Sequence, residues 1–371
     1  MSALSQDEIN RYSRHLILPE VGTTGQETLK AGSVLCVGAG GLGCPLLLYL
    51  AAAGVGRIGI VDFDVVDASN LQRQVLYGMS DIGKSKAQVA KKKLLDLNPH
   101  IVVEVHETRL TPDNALDLFK QYDVVADGTD NFATRYLVND ACVLAGKPNV
   151  YGSIFRFEGQ VSVFNYKGGP NYRCLYSEPP PPGLVPSCAE GGVLGVLPGV
   201  VATLQATEVI KILLGLGDVA SGRLLIYNAL KLQFKELKVT KKNDYRITEL
   251  IDYEQFCGVP QQEETKMVPE ISVEELKQKR DASEAFNLID VREPNEFEIC
   301  NLGGDLIPLN SLEQALPGLD KQAEYVVHCK MGGRSARAVE IMQEQGFSNV
   351  VNLAGGILAW IQKVDGSLST Y

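Results

Sequence analysis

The chain has 371 residues, of which 45% are hydrophobic and 22% charged, a composition typical of a globular protein of two or three domains and not of a disordered chain. Its 35 basic and 45 acidic residues give a net charge of −10, which excludes the overall positive charge of a nonspecific nucleic-acid or acidic-membrane binder. The N-terminus is polar and acidic, unlike a signal sequence, and the longest weakly polar run, residues 44–56, is shorter than the ~20 residues of a membrane span. We therefore expect a cytoplasmic protein without a membrane segment or a nucleic-acid partner.

The cysteines and one polar segment indicate how the chain is organised. The eight cysteines are scattered along a long chain that lacks a secretory signal, so we expect thiols and not a disulfide framework. Residues 255–269 are polar, bracketed by prolines and without helical or strand periodicity, as is typical of a linker. The sequence thus predicts a large domain at residues 1–254 and a small one at residues 270–371.

The large domain begins with a strand, a helix and a strand, predicted at residues 33–37, 46–53 and 58–62. Helices are predicted next at residues 81–97 and 113–121, and strands at residues 101–105 and 124–127. Strands that alternate with helices predict a doubly wound, Rossmann-like parallel sheet. The alternation over residues 151–166 predicts an antiparallel extension, and residues 200–214 a long, mostly buried helix.

A glycine-rich turn follows the first predicted strand and opens a helix. Its sequence is Gly38-Ala-Gly40-Gly41-Leu-Gly43, and Asp62 ends the next strand. The backbone amides of such a turn bind phosphate at the helix N-terminus, and the acidic residue binds a ribose hydroxyl. The turn therefore predicts nucleotide binding, but it does not distinguish a redox dinucleotide from an activating triphosphate.

Polar and cationic residues beyond Asp62 favour a triphosphate, because its β- and γ-phosphate charges must be neutralised. These residues are Ser69, Asn70, Leu71, Gln72, Arg73 and Lys86. Lys86 could equally be a solvated residue of a lysine-rich helix. Asp130 and Asn131 follow the strand at residues 124–127, on the crevice side, where a carboxylate can hold Mg²⁺ between phosphates. Asn131 alone would also serve as the N-cap of the next helix.

The small domain presents a cysteine at the end of a strand. Strands are predicted at residues 287–290 and 325–328, and a helix at residues 335–345. Between the second strand and the helix lies a six-residue loop of Cys329, Lys330, Met331, Gly332, Gly333 and Arg334. Backbone N–H groups curling round the sulfur, the helix N-terminus and Arg334 favour a thiolate and its anionic persulfide. We predict a sulfur-transfer nucleophile at Cys329 and packing roles for Cys36, Cys44, Cys142 and Cys300.

Several motifs in order resemble the MoeB/ThiF family of ubiquitin-activating-like adenylyltransferases, from about residue 11 to residue 258. They are Arg11-Tyr-Ser-Arg14, the glycine turn, Asp62-Phe-Asp, Ser-Asn-Leu-Gln-Arg-Gln, Lys86, Asp-Gly-Thr-Asp-Asn and the proline-rich segment before Cys188. In the small domain, Asp290-Val-Arg292, the short cysteine loop and Leu353-Ala-Gly-Gly-Ile-Leu-Ala-Trp360 resemble a single rhodanese domain. The whole chain resembles fused adenylyltransferase–sulfurtransferases of the molybdopterin-synthase type.

The resemblance implies that ATP and Mg²⁺ adenylate the C-terminal Gly-Gly carboxylate of a small ubiquitin-like sulfur carrier of the MoaD or ThiS type. A persulfide on Cys329, loaded by a donor such as a cysteine desulfurase, would then yield a thiocarboxylate. The family pattern assigns Gly41 to the nucleotide, Asp62 to the ribose, Asn70, Arg73 and Lys86 to the phosphates, and Asp130 to magnesium. Arg14 would reach the active site of a partner subunit, which implies a homodimer.

Cysteine placement raises two further expectations. Cys188 lies on the segment that in this family crosses the adenylation site, so the resemblance makes it a catalytic thiol, whereas without the resemblance it is an incidental loop cysteine. The family's structural zinc is held by two CxxC pairs, but here the first pair retains only Cys174 and residues 241–245 contain no cysteine. We expect no zinc, packing in its place, and a small buried apolar role for Cys174.

Two other functions remain open on the sequence alone. An NAD-dependent oxidoreductase would use the glycine turn and Asp62, but it would leave Arg73, Lys86 and the small domain without a role. A non-catalytic binder of ubiquitin-like proteins would not need the phosphate-binding residues or Cys329. ATP and NAD titration separates the first alternative from adenylation, and ATP–pyrophosphate exchange separates the second.

Overall fold

The computed structural model describes residues 3–180, 192–242, 246–258 and 268–370. The chain divides into two compact units, Met1–Val259 and Pro260–Tyr371. Part of the predicted linker 255–269 belongs to the first unit, because the Phe256 ring packs 5.2 Å from that of Tyr136. Residues 259–267 lie outside the described part of the chain.

The first unit is built on an eight-stranded sheet with the order β3-β2-β1-β4-β5-β6-β7-β8. Its strands are β1 Ser33–Val37, β2 Arg57–Val61, β3 Val102–His106, β4 Val124–Asp127, β5 Asn149–Phe155, β6 Glu158–Phe164, β7 Arg223–Asn228 and β8 Gln233–Lys238. The first five strands in this order, from β3 to β5, pair in parallel with their neighbours. Strands β5, β6, β7 and β8 pair antiparallel. The predicted doubly wound sheet with an antiparallel extension is confirmed.

The helices of this unit are α1 Gln6–Arg11, α2 Ser13–Leu16, α3 Gly22–Ala31, α4 Gly43–Ala53, α5 Lys86–Leu97, α6 Pro112–Lys120, α7 Phe132–Ala145, α8 Tyr172–Leu175, α9 Leu197–Leu214 and α10 Tyr253–Phe256. The prediction that a helix begins at residue 81 was wrong, because Ser85 caps α5 through the backbone N–H of Gln88. Gly83 just before it has φ +79°, which a continuing helix does not allow.

Both faces of the sheet are covered. Along β1, Val34 and Cys36 pack into one hydrophobic cluster, and Leu35 and Val37 pack into another. Side chains of a strand alternate between faces, so a continuous apolar run is buried on both sides. This explains why the strand reads as uninterrupted hydrophobic sequence.

Helix α9, predicted from the sequence as a long, mostly buried helix at residues 200–214, is the longest apolar helix of the described chain. Its 18 residues have a mean hydropathy of 1.5, long and apolar enough by composition to cross a membrane. Nevertheless, Leu197, Val201 and Val209 belong to the core of the first unit. The amide of Gln205 also donates to the backbone oxygens of Asp127 and Val150 on the sheet, at 2.8 and 3.1 Å. These contacts are those of a core helix.

The second unit contains a five-stranded parallel sheet with the order β11-β10-β12-β13-β9. Its strands are β9 Glu270–Ile271, β10 Asn287–Asp290, β11 Asp305–Leu306, β12 Tyr325–His328 and β13 Val350–Leu353. Its helices are α11 Val273–Asp281, α12 Pro294–Ile299, α13 Leu312–Ala315, α14 Gly333–Glu344 and α15 Gly356–Lys363. Two hydrophobic clusters cover its two faces, one with Val327 and one with Val326. The prediction of a second, smaller α/β domain is confirmed.

Candidate active sites

In the first unit, the strand order reverses between β1 and β4, and ligands of doubly wound sheets bind at such a reversal. The glycine turn leaves β1 there and enters α4. Gly38 has φ +93°, and a Cβ on Gly43 would lie 2.1 Å from the Gly38 carbonyl oxygen. The turn can therefore close only with glycine at these positions, which brings its backbone to the mouth of the crevice.

A cleft of about 390 Å³ opens beside this turn. The predicted nucleotide residues that line it are Gly41, Asp62, Asn70, Arg73, Lys86, Asp130 and Asn131. The predicted residues Ser69, Leu71, Gln72 and Arg14 are not among the lining residues in the described part of the chain. The tertiary structure thus brings together side chains that lie up to ninety positions apart.

Asp62 joins the end of β2 to the glycine turn. Its carboxylate accepts hydrogen bonds from the backbone N–H groups of Ala39 at 2.7 Å and Asp64 at 2.8 Å. The side chain is buried, and this burial raises the pKa of Asp62. Each carboxylate oxygen has a further lone pair, so Asp62 can still accept a ribose hydroxyl in a fixed position.

Arg73 and Lys86 both line the cleft, and a neighbouring residue holds each of them. Arg73 donates from Nη2 to the side-chain oxygen of Asn70 at 2.8 Å. The Nζ of Lys86 lies 3.0 Å from Asp64, and the Lys86 side chain is only 7% exposed while that of Asp64 is 52% exposed. Lys86 is therefore not a solvated helix lysine; it is a buried cation that can exchange an exposed carboxylate for a phosphate.

The loop after β4 supplies the acidic side of the cleft. Asp130 is exposed in it, whereas Asp127 is fully buried and accepts from the N–H and hydroxyl of Thr129. Asn131 caps α7 by accepting a hydrogen bond from the Thr134 N–H at 2.9 Å, which is the N-cap role that the sequence offered for it. No group of three possible metal ligands occurs among the described residues. A single carboxylate completed by phosphate oxygens and water is a normal magnesium site, so Asp130 fits Mg²⁺.

Phe63 and Arg109 also line the cleft, and the sequence predicted no role for either of them. Phe63 follows β2 and Asp62, and Arg109 lies just beyond the end of β3. The rule that points to Asp130, that carboxyl ends of parallel strands meet at one edge, would have indicated both. The Arg109 guanidinium carbon lies 4.8 Å from the centre of the Phe63 ring.

A buried ion pair lies next to Cys174, in the region that a structural zinc would hold together in this family. Arg173 donates to both carboxylate oxygens of Asp140, from Nε at 2.9 Å and from Nη2 at 2.7 Å, and both side chains are 2% exposed. The Tyr253 hydroxyl donates to the same carboxylate at 2.8 Å, which ties α10 to α7. The ion pair and this hydrogen bond therefore act together with the hydrophobic packing of this region. Cys174 is buried as expected, and its sulfur accepts from the Lys242 N–H at 3.4 Å.

The remaining described cysteines are buried except for Cys257, which is half-buried. Cys36, Cys44, Cys142 and Cys300 are buried, as expected of packing residues. Burial raises the pKa of Cys36 and of Cys44 to about 12, and raises that of Cys142 well above its ordinary value. Cys188, the expected catalytic thiol, lies outside the described residues.

In the second unit, Cys329 follows β12, and the strand order reverses between β10 and β12. Its sulfur accepts from the Gly332 N–H at 3.1 Å and lies 3.3 Å from the Ser335 hydroxyl. A Cβ on Gly356 would lie 2.5 Å from the Cys329 carbonyl oxygen, which explains the glycine pair before α15. These donors can stabilise negative charge on the sulfur, and the sequence had not indicated Ser335.

Two titratable side chains, Arg334 and His328, lie beside the cysteine loop. Arg334 donates two hydrogen bonds to the buried Glu296, at 2.6 and 2.8 Å. Glu296 therefore offsets the positive charge of Arg334, which was predicted to favour a thiolate at Cys329. His328 is fully buried, with its Nε2 3.6 Å from Asp290, and burial lowers the pKa of His328 to about 4. The groups that can stabilise negative charge on the Cys329 sulfur are therefore the nearby donors and the start of α14, whereas Arg334 is paired with Glu296.

The cleft lies where the strand order reverses, and the Cys329 sulfur is surrounded by hydrogen-bond donors. Together they define a class of protein in which a nucleotide-binding α/β domain is joined to an α/β domain that carries a thiol. The chain belongs to the ThiF family, whose model matches residues 12–248. A rhodanese-like domain matches residues 272–363.

Curated relatives match the whole chain. A Mycobacterium tuberculosis protein named "Probable adenylyltransferase/sulfurtransferase MoeZ" is 53% identical over 100% of this chain and 97% of its own length. A Culex quinquefasciatus protein named "Adenylyltransferase and sulfurtransferase MOCS3" is 44% identical over 100% of this chain and 91% of its own. The predictions of an enzyme, of adenylyl transfer and of sulfur transfer are confirmed.

Solved structures support the fold of the first unit. Escherichia coli MccB with a MccA peptide has a TM-score of 0.58 at 22% identity, over 66% of this chain and 75% of that chain. MccB with ATP has a TM-score of 0.56 at 23% identity, over 66% of this chain and 75% of that chain. At this identity the likeness concerns the fold alone.

Proposed function

We propose that this chain uses ATP to adenylate the C-terminal glycine of a small ubiquitin-like sulfur carrier, and then converts the adenylate to a thiocarboxylate with sulfur carried on Cys329. The observation that carries the first half is one cleft that combines a glycine turn at a helix N-terminus with Arg73, Lys86 and Asp130. The cradled sulfur of Cys329 carries the second half.

Adenylation brings two anions together, because the carrier's carboxylate attacks the α-phosphate of ATP and pyrophosphate leaves. Arg73 and Lys86 offset this repulsion at the phosphates, and the amides at the start of α4 hold the phosphate chain. Asp130 would hold Mg²⁺, which when bound adds positive charge between phosphate oxygens. The nucleophile needs no general base, since a carboxyl group is already ionised near pH 7.

Sulfur transfer follows from a persulfide on Cys329, loaded by a donor such as a cysteine desulfurase. The terminal sulfur attacks the acyl-adenylate, AMP leaves, and an acyl disulfide forms. A second thiol, for which we propose Cys188, then attacks the Cys329 sulfur, so that the thiocarboxylate leaves and a disulfide remains for an external thiol to reduce. In a cytoplasmic protein such thiols stay reduced, and the seven described cysteines are all free.

The proposal includes a homodimer in which Arg14 serves the neighbouring protomer's cleft. Arg14 is exposed on α2 and does not line the cleft of its own chain in the part described. Mixing an Arg14→Ala variant with a Lys86→Met variant tests this. Each alone should retain at most about a tenth of wild-type activity, while statistical exchange of subunits should restore about a quarter of the wild-type sites. No recovery on mixing, with exchange verified by mass, would contradict a shared site.

Pyrophosphate exchange that depends on a Gly-Gly-ended carrier tests the two reactions separately. Asp130→Ala should abolish exchange, whereas Cys329→Ala should leave exchange intact and block thiocarboxylate formation. Cys188→Ala should leave exchange intact and slow release of product. Exchange surviving in Asp130→Ala, or thiocarboxylate made by Cys329→Ala, would overturn the assigned roles. Binding of NAD with no binding of ATP would favour an oxidoreductase instead.

A further inference from the structure

The helix that carries Arg14 is too short to hold its own position. Helix α2 spans only Ser13–Leu16, and an isolated helix of one turn is not stable in water. Arg14 is exposed, and the apolar Ile17 and Leu18 that follow are 70% and 47% exposed, a surface that a second copy of the chain can cover. Contacts outside α2 must therefore fix the position of Arg14.

Tyr12, two residues before Arg14, is anchored in the interior of the first unit. It is 4% exposed, and its hydroxyl accepts a hydrogen bond from the side-chain amide of Asn98 at 2.8 Å. The same amide donates to the Ala51 carbonyl oxygen at 2.6 Å. Asn98 is the C-cap of α5, and Ala51 lies in the last turn of α4. Tyr12 is therefore fixed to the C-terminal ends of two helices.

His15, the residue after Arg14, is held by a side chain of α3. Its Nδ1 lies 3.0 Å from Oε1 of Gln26, which is fully buried. The Gln26 amide nitrogen donates to the Ala53 carbonyl oxygen at 2.9 Å, at the C-terminal end of α4. Because the oxygen of Gln26 can only accept, Nδ1 of His15 is the donor of the bond between them. Arg14 thus lies between two anchored side chains.

The glycine that follows α4 makes this arrangement possible. Gly54 has φ +82°, and a Cβ at this position would lie 2.5 Å from Cζ of Tyr12 and 2.7 Å from Nε2 of Gln26. Both side chains therefore pack directly on the backbone of residue 54. The N-terminal ends of α4 and α5 carry the glycine turn and Lys86. The same two helices thus form the cleft at one end and hold the Arg14 segment at the other.

We propose that Tyr12 and His15 are positioning residues that fix Arg14 for the cleft of a second copy of this chain. This inference rests on the proposed function, since it explains how one protomer presents Arg14 to the other. Both residues are tied to the same end of α4, so the loss of these ties frees Arg14 relative to the rest of the unit. Neither residue lines the cleft of its own chain in the part that the structure describes.

The test measures pyrophosphate exchange with a Gly-Gly-ended carrier, using the full chain. A variant with both Tyr12→Phe and His15→Leu should lower the exchange rate about tenfold, because it loses the anchoring hydrogen bonds and misplaces Arg14 while keeping most of the packed bulk. The matched control is Tyr122→Phe, which removes the hydroxyl of another buried tyrosine, one that donates to Glu104 at 2.7 Å. It should remain within about twofold of the wild-type rate.

Subunit exchange separates positioning from damage to the variant's own cleft. When the double variant is mixed with Lys86→Met, its own cleft is intact and the other protomer supplies Arg14. The rate should rise from at most about a tenth to about a quarter of wild type. When the double variant is mixed with Arg14→Ala, no protomer presents Arg14 correctly, so the rate should stay at or below about a tenth.

Three outcomes would overturn the inference. A double variant within about twofold of wild type would show that the anchors do not matter. No rise with Lys86→Met, or a rise with Arg14→Ala, would place the damage in the variant's own cleft. If Arg14→Ala and Lys86→Met do not recover each other on mixing, the shared site of the proposed function is wrong, and this inference is wrong with it.

Discussion

Replacement of Arg173 by methionine should strongly destabilise the first unit. Asp140 accepts hydrogen bonds from Arg173, Asn139 and Tyr253, all in a buried setting. Arg173→Met keeps the bulk of the side chain but leaves the Asp140 carboxylate buried without its cation. Removing one partner of a buried pair costs about 3–5 kcal/mol, because the remaining charge has lost its solvent and its counter-charge.

For a unit of this size, about 1 kcal/mol shifts the melting temperature by 2–4 °C, so we expect a fall of roughly 10 °C. Urea unfolding followed by far-UV circular dichroism measures the change. The single tryptophan, Trp360, lies in the second unit and supplies an internal control, since its fluorescence transition should not move. Lys120→Met, which breaks an exposed ion pair with Asp117, should change the free energy of unfolding by less than about 1 kcal/mol.

A free energy of unfolding within about 1 kcal/mol of wild type for Arg173→Met would refute the inference that this pair holds α8 and α10 in place. Chelation gives a separate check on the expected absence of zinc. Incubation with EDTA should leave the same transition unchanged. A lower midpoint after chelation would show that a metal contributes to the fold.

Three further predictions concern the two sites. Lys86→Met should lower the kcat/KM for ATP in pyrophosphate exchange about 10- to 100-fold, since a charge-assisted phosphate contact is worth ~1.5–3 kcal/mol; a loss under threefold would remove Lys86 from the site. Ser335→Ala should slow alkylation of Cys329 by iodoacetamide at pH 7 and sulfur transfer together, with recovery in Ser335→Thr; unchanged alkylation would show that the hydroxyl serves only the fold. Because burial lowers the pKa of His328 to about 4, the unfolded chain binds more protons between pH 4 and 6.5, so the second unit should lose stability as pH falls through this range, by about 2 kcal/mol at pH 5. Trp360 fluorescence in urea at pH 7 and pH 5 measures this, and a loss of equal size in His328→Gln would refute it.

The predictions that succeeded rest on residues close together in sequence. The apolar runs of β1 and β2, the glycine turn between them and Asp62 form one contiguous unit, so its local geometry follows from steric and hydrogen-bonding rules. The loop from Cys329 to Arg334 is equally local, since these six residues fix the approach of the Gly332 N–H to the sulfur. Helix starts were less well predicted because competing caps, such as Ser85, lie within a few residues of one another.

The sequence by itself therefore determined the class of fold, the glycine turn at the mouth of the crevice and the cysteine at the end of a strand. Only the tertiary structure decided which charges meet. Glu296 offsets Arg334 across 38 positions, Arg173 reaches Asp140 across 33, and Tyr253 reaches the same carboxylate across 113. Such pairs depend on how helices pack across a sheet, and no local pattern records that distance or angle. The sequence specifies that a side chain is charged, but its electrostatic free energy depends on its burial and on the partner that folding places beside it.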